Sequence, residues 1–164
     1  MDSVIEALVE QMSFRLDDDS SWFVPLEKAL KGVTAPVAAW RPSDEFNSIW
    51  QIVNHLTFWT QFVSERLLGS PPTGKRIDNQ MTFGDPGDPL DEGGWQDSVT
   101  RLRSVYRDFR DHLEGASLED INRVVNSAGA SATTMISGCL MHDSYHIGQI
   151  VLLRRLQDDW NGQQ

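Results

Sequence analysis

The sequence predicts an all-α protein, most simply a four-helix bundle. Three observations carry this. Four long stretches place apolar residues at helical spacing. No stretch shows a convincing strand pattern. A Gly- and Pro-rich run between the second and third stretches is long enough to return the chain along a bundle.

The first stretch runs from Val4 to Leu16, with Val4, Ile5, Leu8, Val9, Met12 and Leu16 forming the apolar stripe. Asp17-Asp18-Asp19-Ser20-Ser21 then forms an exposed polar turn or breaks the helix. A shorter helical piece follows, Trp22 to Lys31, with Pro25 in its first turn and Gly32 past its end. Residues 33–47, with Pro36 and Pro42, read as a connection.

The second long helix has a defined start. In Ser48-Ile49-Trp50-Gln51 the Ser48 side chain can cap the Gln51 amide, and the Gln51 side chain can reach back. Ile52, Val53, Leu56, Trp59, Phe62, Val63 and Leu67 continue the helix, and Gly69 stops it. His55 lies on the Ile52–Trp59–Phe62 side. Residues 69–94 hold six Gly and four Pro. Fully extended they reach ~85 Å, against ~30 Å for a 20-residue helix, so the flanking helices are free to run parallel.

The third long helix shows a strict seam of Trp95, Val99, Leu102, Tyr106, Phe109 and Leu113, and ends at Gly115. His112 lies beside the seam and reads as a surface residue. Residues 116–130 are partly helical around Leu118 to Val125. The last helix starts near Ser131 or Thr133 and runs to about Leu156, with no proline after residue 131. Residues 1–164 read as a single domain, since neither half alone has enough helices for a good core.

Composition narrows the function. No apolar run approaches the ~18 residues of a membrane span. The N-terminus, Met1-Asp2-Ser3-Val4-Ile5-Glu6, lacks the basic and apolar regions of a signal peptide. Cys139 is the only cysteine, so no internal disulfide forms and a reducing, cytoplasmic setting is expected. The net charge of −10 repels phosphate backbones, so no nucleic-acid partner is expected. The expected partners are a small-molecule substrate and, at most, a second copy in a homodimer.

The chemistry centres on His142-Asp143-Ser144-Tyr145-His146. Residues i and i+4 of a helix stand one above the other, so His142 and His146 can hold one transition-metal ion. The pair alone leaves another reading open, two surface histidines with no joint role. If the second and last helices are antiparallel neighbours, His55 comes to a similar height within a turn or two. Three neutral imidazoles suit Zn²⁺, Ni²⁺ or Fe²⁺ and leave positions open for water or substrate. A di-iron bundle is excluded, because the chain has no Glu-x-x-His. The zincin motif needs Glu where this chain has Asp143, which reads better as an exposed or outer carboxylate than as a base. Tyr145 and Gln149 each follow a candidate ligand by three residues and could bond to substrate or pack the helix. Cys139 reads as a buried, inert thiol, Gly148 as a site of close helix approach, and Trp59 as a pocket wall.

Two of these segments resemble a known family. His142-Asp143-Ser144-Tyr145-His146-Ile147-Gly148-Gln149-Ile150, followed by Leu152-Leu153-Arg154, is similar to the last-helix signature of the DinB-like (DinB/YfiT) metalloproteins. Ser48 to Leu56 resembles that family's second-helix signature, and Trp22, Leu26 to Val33, Trp40 and Pro42 its N-terminal third. The resemblance implies a four-helix bundle in up-down-down-up order, with the long crossover at residues 69–94. It also implies a three-His metal site at His55, His142 and His146. Phe23-Val24 departs from the His-Gly that some members carry after the first tryptophan.

What the resemblance favours is a metal-dependent enzyme, a transferase that activates a low-molecular-weight thiol. Hydrolysis is the other metal-dependent reaction. A non-catalytic metal- or small-molecule-binding module of a stress response is the competing expectation. A bundle whose histidines bind nothing, with dimerisation as its role, is the third.

Overall fold

The computed structural model describes residues 2–16, 22–70, 77–126 and 128–160. Among these are seven α-helices, one short 3-10 turn at Gln80–Thr82, and no strand beyond an isolated bridge between Val124 and Ser131. The polar run at 17–21 and the Pro71-Pro72 pair lie outside the described residues. No described helix is long and apolar enough to cross a membrane.

Four helices are long: α1 (Ser3–Leu16), α4 (Ile49–Leu67), α5 (Glu92–Glu114) and α7 (Ala132–Leu156). Three are single turns or little more: α2 (Leu26–Leu30), α3 (Ala35–Ala39) and α6 (Leu118–Asn122). The expected Trp22–Lys31 helix shortens to α2, because Pro25 takes the extended conformation of an N-cap. Trp22 is fully exposed. Residues 33–47 are more than a connection: Thr34 caps α3, with Pro36 in its first turn, where a missing N–H costs nothing.

The Ser48–Gln51 capping box forms in both directions and starts α4. It also anchors the crossover, since the Ser48 hydroxyl donates to the Pro86 carbonyl and the Gln51 amide to that of Gly84. Gly87 passes over Trp50 at φ 95°, where a Cβ would come within 2.3 Å of the indole. Only glycine fits both constraints there.

All six seam residues of α5 are buried. Each large apolar side chain so placed contributes ~1.5–3 kcal/mol relative to exposure. They join α1, α4 and α7 in one core. Two contacts fix the direction of α5 against α4. Near their starts the Trp50 indole N–H donates to the Ser98 hydroxyl, and near their ends Ser64 bonds His112. The two helices therefore run parallel, as the long crossover allows.

Helix α7 runs the other way. Arg123 donates to the Leu67 carbonyl at the end of α4 and accepts from the Ala132 amide at the start of α7. Helix α1 packs against α5 and α7. At the far end of α7, buried Arg154 donates to the Ala29 carbonyl and pairs with Asp159, tying α2 to that end.

Candidate metal centre

The antiparallel packing of α4 and α7 brings His55 to the His142–His146 pair. The His142 Nε2 atom lies 3.0 Å from that of His55 and 3.1 Å from that of His146. Three imidazole nitrogens bound to one ion at about 2.0–2.1 Å stand roughly 3.0–3.4 Å apart. The donor set and its spacing fit one divalent transition ion.

The protons on these rings can be placed from their other nitrogens. His55 Nδ1 lies 2.5 Å from the Thr82 hydroxyl, which already donates its only proton to the Asn79 carbonyl. Thr82 must therefore accept, and His55 carries its proton on Nδ1. His142 Nδ1 is 3.3 Å from an Asp143 carboxylate oxygen, an acceptor only. His146 Nδ1 is 2.6 Å from the Gln149 carbonyl oxygen, whose amide in turn donates to the Tyr145 hydroxyl. A neutral imidazole has one N–H, so all three Nε2 atoms present bare lone pairs to one another. One proton on His142 could not serve both of its contacts.

The pKa shifts of His55 and His146 agree with neutral rings there. Burial, then His146 and His142, lowers His55 to about 3. Burial, then His142, lowers His146 as well. In the unfolded chain both protonate near 6.5. Between those values the unfolded chain binds more protons, so stability is lost as pH falls below about 6.5. Thermal melts of chelator-treated protein are expected to show a lower melting temperature at pH 5 than at pH 7. The drop should be smaller in His55→Ala, which lacks one of the two groups.

Behind His142 lies a buried polar cluster from three helices. Asp143 is 0% exposed and Arg15 of α1 is 1% exposed, with Arg15 Nη1 2.7 Å from Asp143 Oδ2. The Tyr106 hydroxyl of α5 donates to the same oxygen at 2.9 Å. Burial opposes the charge on Arg15, but Asp143, then Tyr106, carries its pKa above the ordinary value. Burial, then Asp143, raises Tyr106. Asp143 is thus neither exposed nor available as a base, because both its oxygens are engaged. Cys139 is buried 4.0 Å from these oxygens, and burial followed by Asp143 pushes its thiol up, which keeps it inert.

In front of the histidines opens a pocket of about 670 Å³. Trp59, Phe83, Met135 and Tyr145 supply its apolar wall, and Asn47, Asn79, Gln80 and Gln149 its amides. Phe83 lies flat on the His55 ring, with centroids 3.8 Å apart. Through Asn79, Gln80 and Phe83 the Gly- and Pro-rich crossover thus closes one side of the pocket. A groove of about 730 Å³ between α2 and α5 is slightly larger, but its polar lining is the Glu27–Arg103 pair with lysines, Thr34, Glu92 and Gln96, and it holds no histidine or cysteine.

Two further expectations need correction. His112 is half-buried and bonded to Ser64 at 2.8 Å, so it is not a plain surface residue. Gly148 permits no helix approach within this chain, since nothing lies within 4 Å of a Cβ built on it. Sequence reasoning also missed Thr82, Phe83, Arg15 and Tyr106 as parts of the site. Arg15 alone gave a signal, because it continues the Ile5–Leu8–Met12 stripe onto the buried face.

A search of curated proteins finds none that matches the chain. The family model described as the DinB superfamily matches residues 25–150, which include all three histidines and the pocket wall. That match covers most of the sequence, from the N-cap of α2 into α7, so the chain belongs to the DinB superfamily.

Proposed function

We propose that this protein is a metal-dependent enzyme acting on a small molecule, with one Zn²⁺, Ni²⁺ or Fe²⁺ held by His55, His142 and His146. The observation that carries the reading is the convergence of three histidine Nε2 atoms, with that of His142 3.0 Å from His55 and 3.1 Å from His146, a spacing that one bound cation satisfies. When bound, the ion would act as a Lewis acid that lowers the pKa of a coordinated water or small thiol. The chain's own residues then do the rest. Thr82, Asp143 and Gln149 hold the ligating rings in one tautomer. Trp59, Phe83 and Tyr145 shelter the pocket, and the amides of Asn47, Asn79 and Gln80 can orient a polar substrate. Transfer of a low-molecular-weight thiol to an electrophile, or hydrolysis, fits this equipment.

We read the chain as one domain, a four-helix bundle of α1, α4, α5 and α7 in up-down-down-up order. The parallel α4–α5 pair and the antiparallel α4–α7 pair support that order. One observation favours the non-catalytic alternative. No described carboxylate or lysine lines the pocket, so a dedicated general base is missing there. A turnover screen of metal-loaded protein with small thiols plus electrophiles, and with activated esters and amides, separates the two. Metal-dependent turnover that is lost in His55→Ala is expected. Ligand binding at the metal without turnover of any of these would establish a binding module instead.

A further inference from the structure

The crossover turn at residues 79–84 serves two pockets. Asn79, Gln80 and Phe83 line the metal pocket. Met81 and Thr82 line another, of about 390 Å³, set over the groove between the parallel helices α4 and α5. No residue lines both. The second pocket has room for a small metabolite.

Its chemistry is unusual for a surface groove. Asp97 and Arg101 stand four apart on α5 with the carboxylate first, the order that favours an ion pair. Arg103 and Arg110 of the same helix are both paired. Asp97 and Arg101 are not, and among the described residues neither has another hydrogen-bond or ion-pair partner. The Asn54 amide N–H goes to the Phe83 carbonyl and that of Gln61 to Glu65, which leaves both side-chain carbonyl oxygens available. Apolar surface lies open beside them, with Met81 78% and Phe58 38% exposed. Single unpaired charges are ordinary on a surface. Here a cation, an anion, two spare acceptors and uncovered apolar groups all line one concavity.

We propose that this second pocket binds a free α-amino acid with an apolar side chain. Arg101 takes the carboxylate, as a guanidinium fork does. Asp97, with the carbonyl oxygens of Asn54 and Gln61, takes the three donors of the ammonium. Phe58 and Met81 cover the side chain. A zwitterion adds no net charge to a chain of −10, whereas an anionic ligand is repelled by it and a purely cationic one leaves Arg101 without a partner.

Thr82 ties this pocket to the histidines, because its hydroxyl accepts from His55 Nδ1. An amino acid seated on Met81 holds the turn, and with it the His55 ring. That coupling rests on the three-His reading of the metal centre; the binding itself does not.

Isothermal titration of the chelator-treated full chain tests the site, since the chelator removes any metal that a free amino acid would itself ligate. The probes are free leucine, isoleucine, methionine, phenylalanine and tryptophan. At least one is expected to bind with Kd below about 1 mM. Its amide and its N-acetyl derivative, each lacking one charge, should bind about tenfold or more weaker. Arg101→Gln and Asp97→Asn, at exposed positions, should melt like wild type and lose about as much affinity. Arg107→Gln, outside the pocket, should bind like wild type. Ring-nitrogen NMR spectra should show the His55 resonances move with the ligand, and stay still in Arg101→Gln. Weaker binding by all five probes, equal binding of the amide, or undiminished binding in Arg101→Gln and Asp97→Asn overturns the site. Binding that leaves His55 unmoved overturns the coupling, whereas the metal centre stands or falls separately on metal content.

Discussion

Alanine at His55, His142 or His146 is expected to abolish stoichiometric metal binding and to bring the melting temperature of the metal-treated protein down to that of chelated protein. His142 and His146 stand on one rigid helix, while His55 comes across from α4. An ion bound by all three ties α4 to α7, and its binding free energy adds to that of the folded state. At a free metal concentration of 1,000 times Kd this linkage is worth about 4 kcal/mol. For a domain of this size that corresponds to roughly 8–16 °C in melting temperature. Loss at any one position leaves two ligands, so the three variants should behave alike. His112→Ala is the control. It removes one bond to Ser64 and costs about 1 kcal/mol with or without metal, while metal content stays at one ion per chain. Elemental analysis and paired melts, with and without chelator, measure both quantities. Full metal content in His55→Ala, or equal metal loss in His112→Ala, would mean that other residues ligate.

The parts of this protein that local chemistry dictates were legible in the sequence. The capping box at Ser48–Gln51 and the seam from Trp95 to Leu113 are local patterns, and both form as the spacing requires. The His142–His146 pair is likewise a consequence of helix geometry alone. His55 was reachable only by assuming that its helix and α7 are antiparallel neighbours, which the contact of Arg123 with both helix ends bears out. Other features depend on contacts that no spacing encodes. Thr82 and Phe83 sit in a Gly- and Pro-rich crossover with no periodicity, and they reach His55 because Ser48, Gln51, Asn54 and Trp59 pin that crossover to α4. Helix α3 is five residues long, too short for a periodic signal, and its position depends on a Glu92 carboxylate accepting from the Ala35 amide. Tyr106 reads as one more seam residue, and its hydroxyl gains meaning only when Asp143 is seen across the core.

Asp143→Asn is expected to weaken metal binding about 10–100-fold and to destabilise the metal-free protein by about 3–5 kcal/mol, and these two effects have separable causes. The stability loss comes from Arg15. Its guanidinium is buried, lies over the Tyr106 ring, and has Asp143 as its counter-charge. Removing that charge leaves an uncompensated cation in the core, a loss of roughly 6–20 °C in melting temperature at this chain length. The affinity loss comes from His142. Its Nδ1–H points at the carboxylate, which fixes the tautomer and makes Nε2 a better donor to the metal. A neutral amide orients the ring less firmly and polarises it less. The double variant Arg15→Met plus Asp143→Asn tells the causes apart. With the buried cation gone, much of the stability should return, because no uncompensated charge is left in the core. Metal affinity should not return, because the contact to His142 is still changed. Competition titrations with a chromophoric chelator and melts of the metal-free proteins give both numbers for each variant. If Asp143→Asn binds metal as tightly as wild type, the cluster behind His142 serves only the core. If the double variant recovers affinity along with stability, the weaker binding of the single variant was a consequence of its damaged fold.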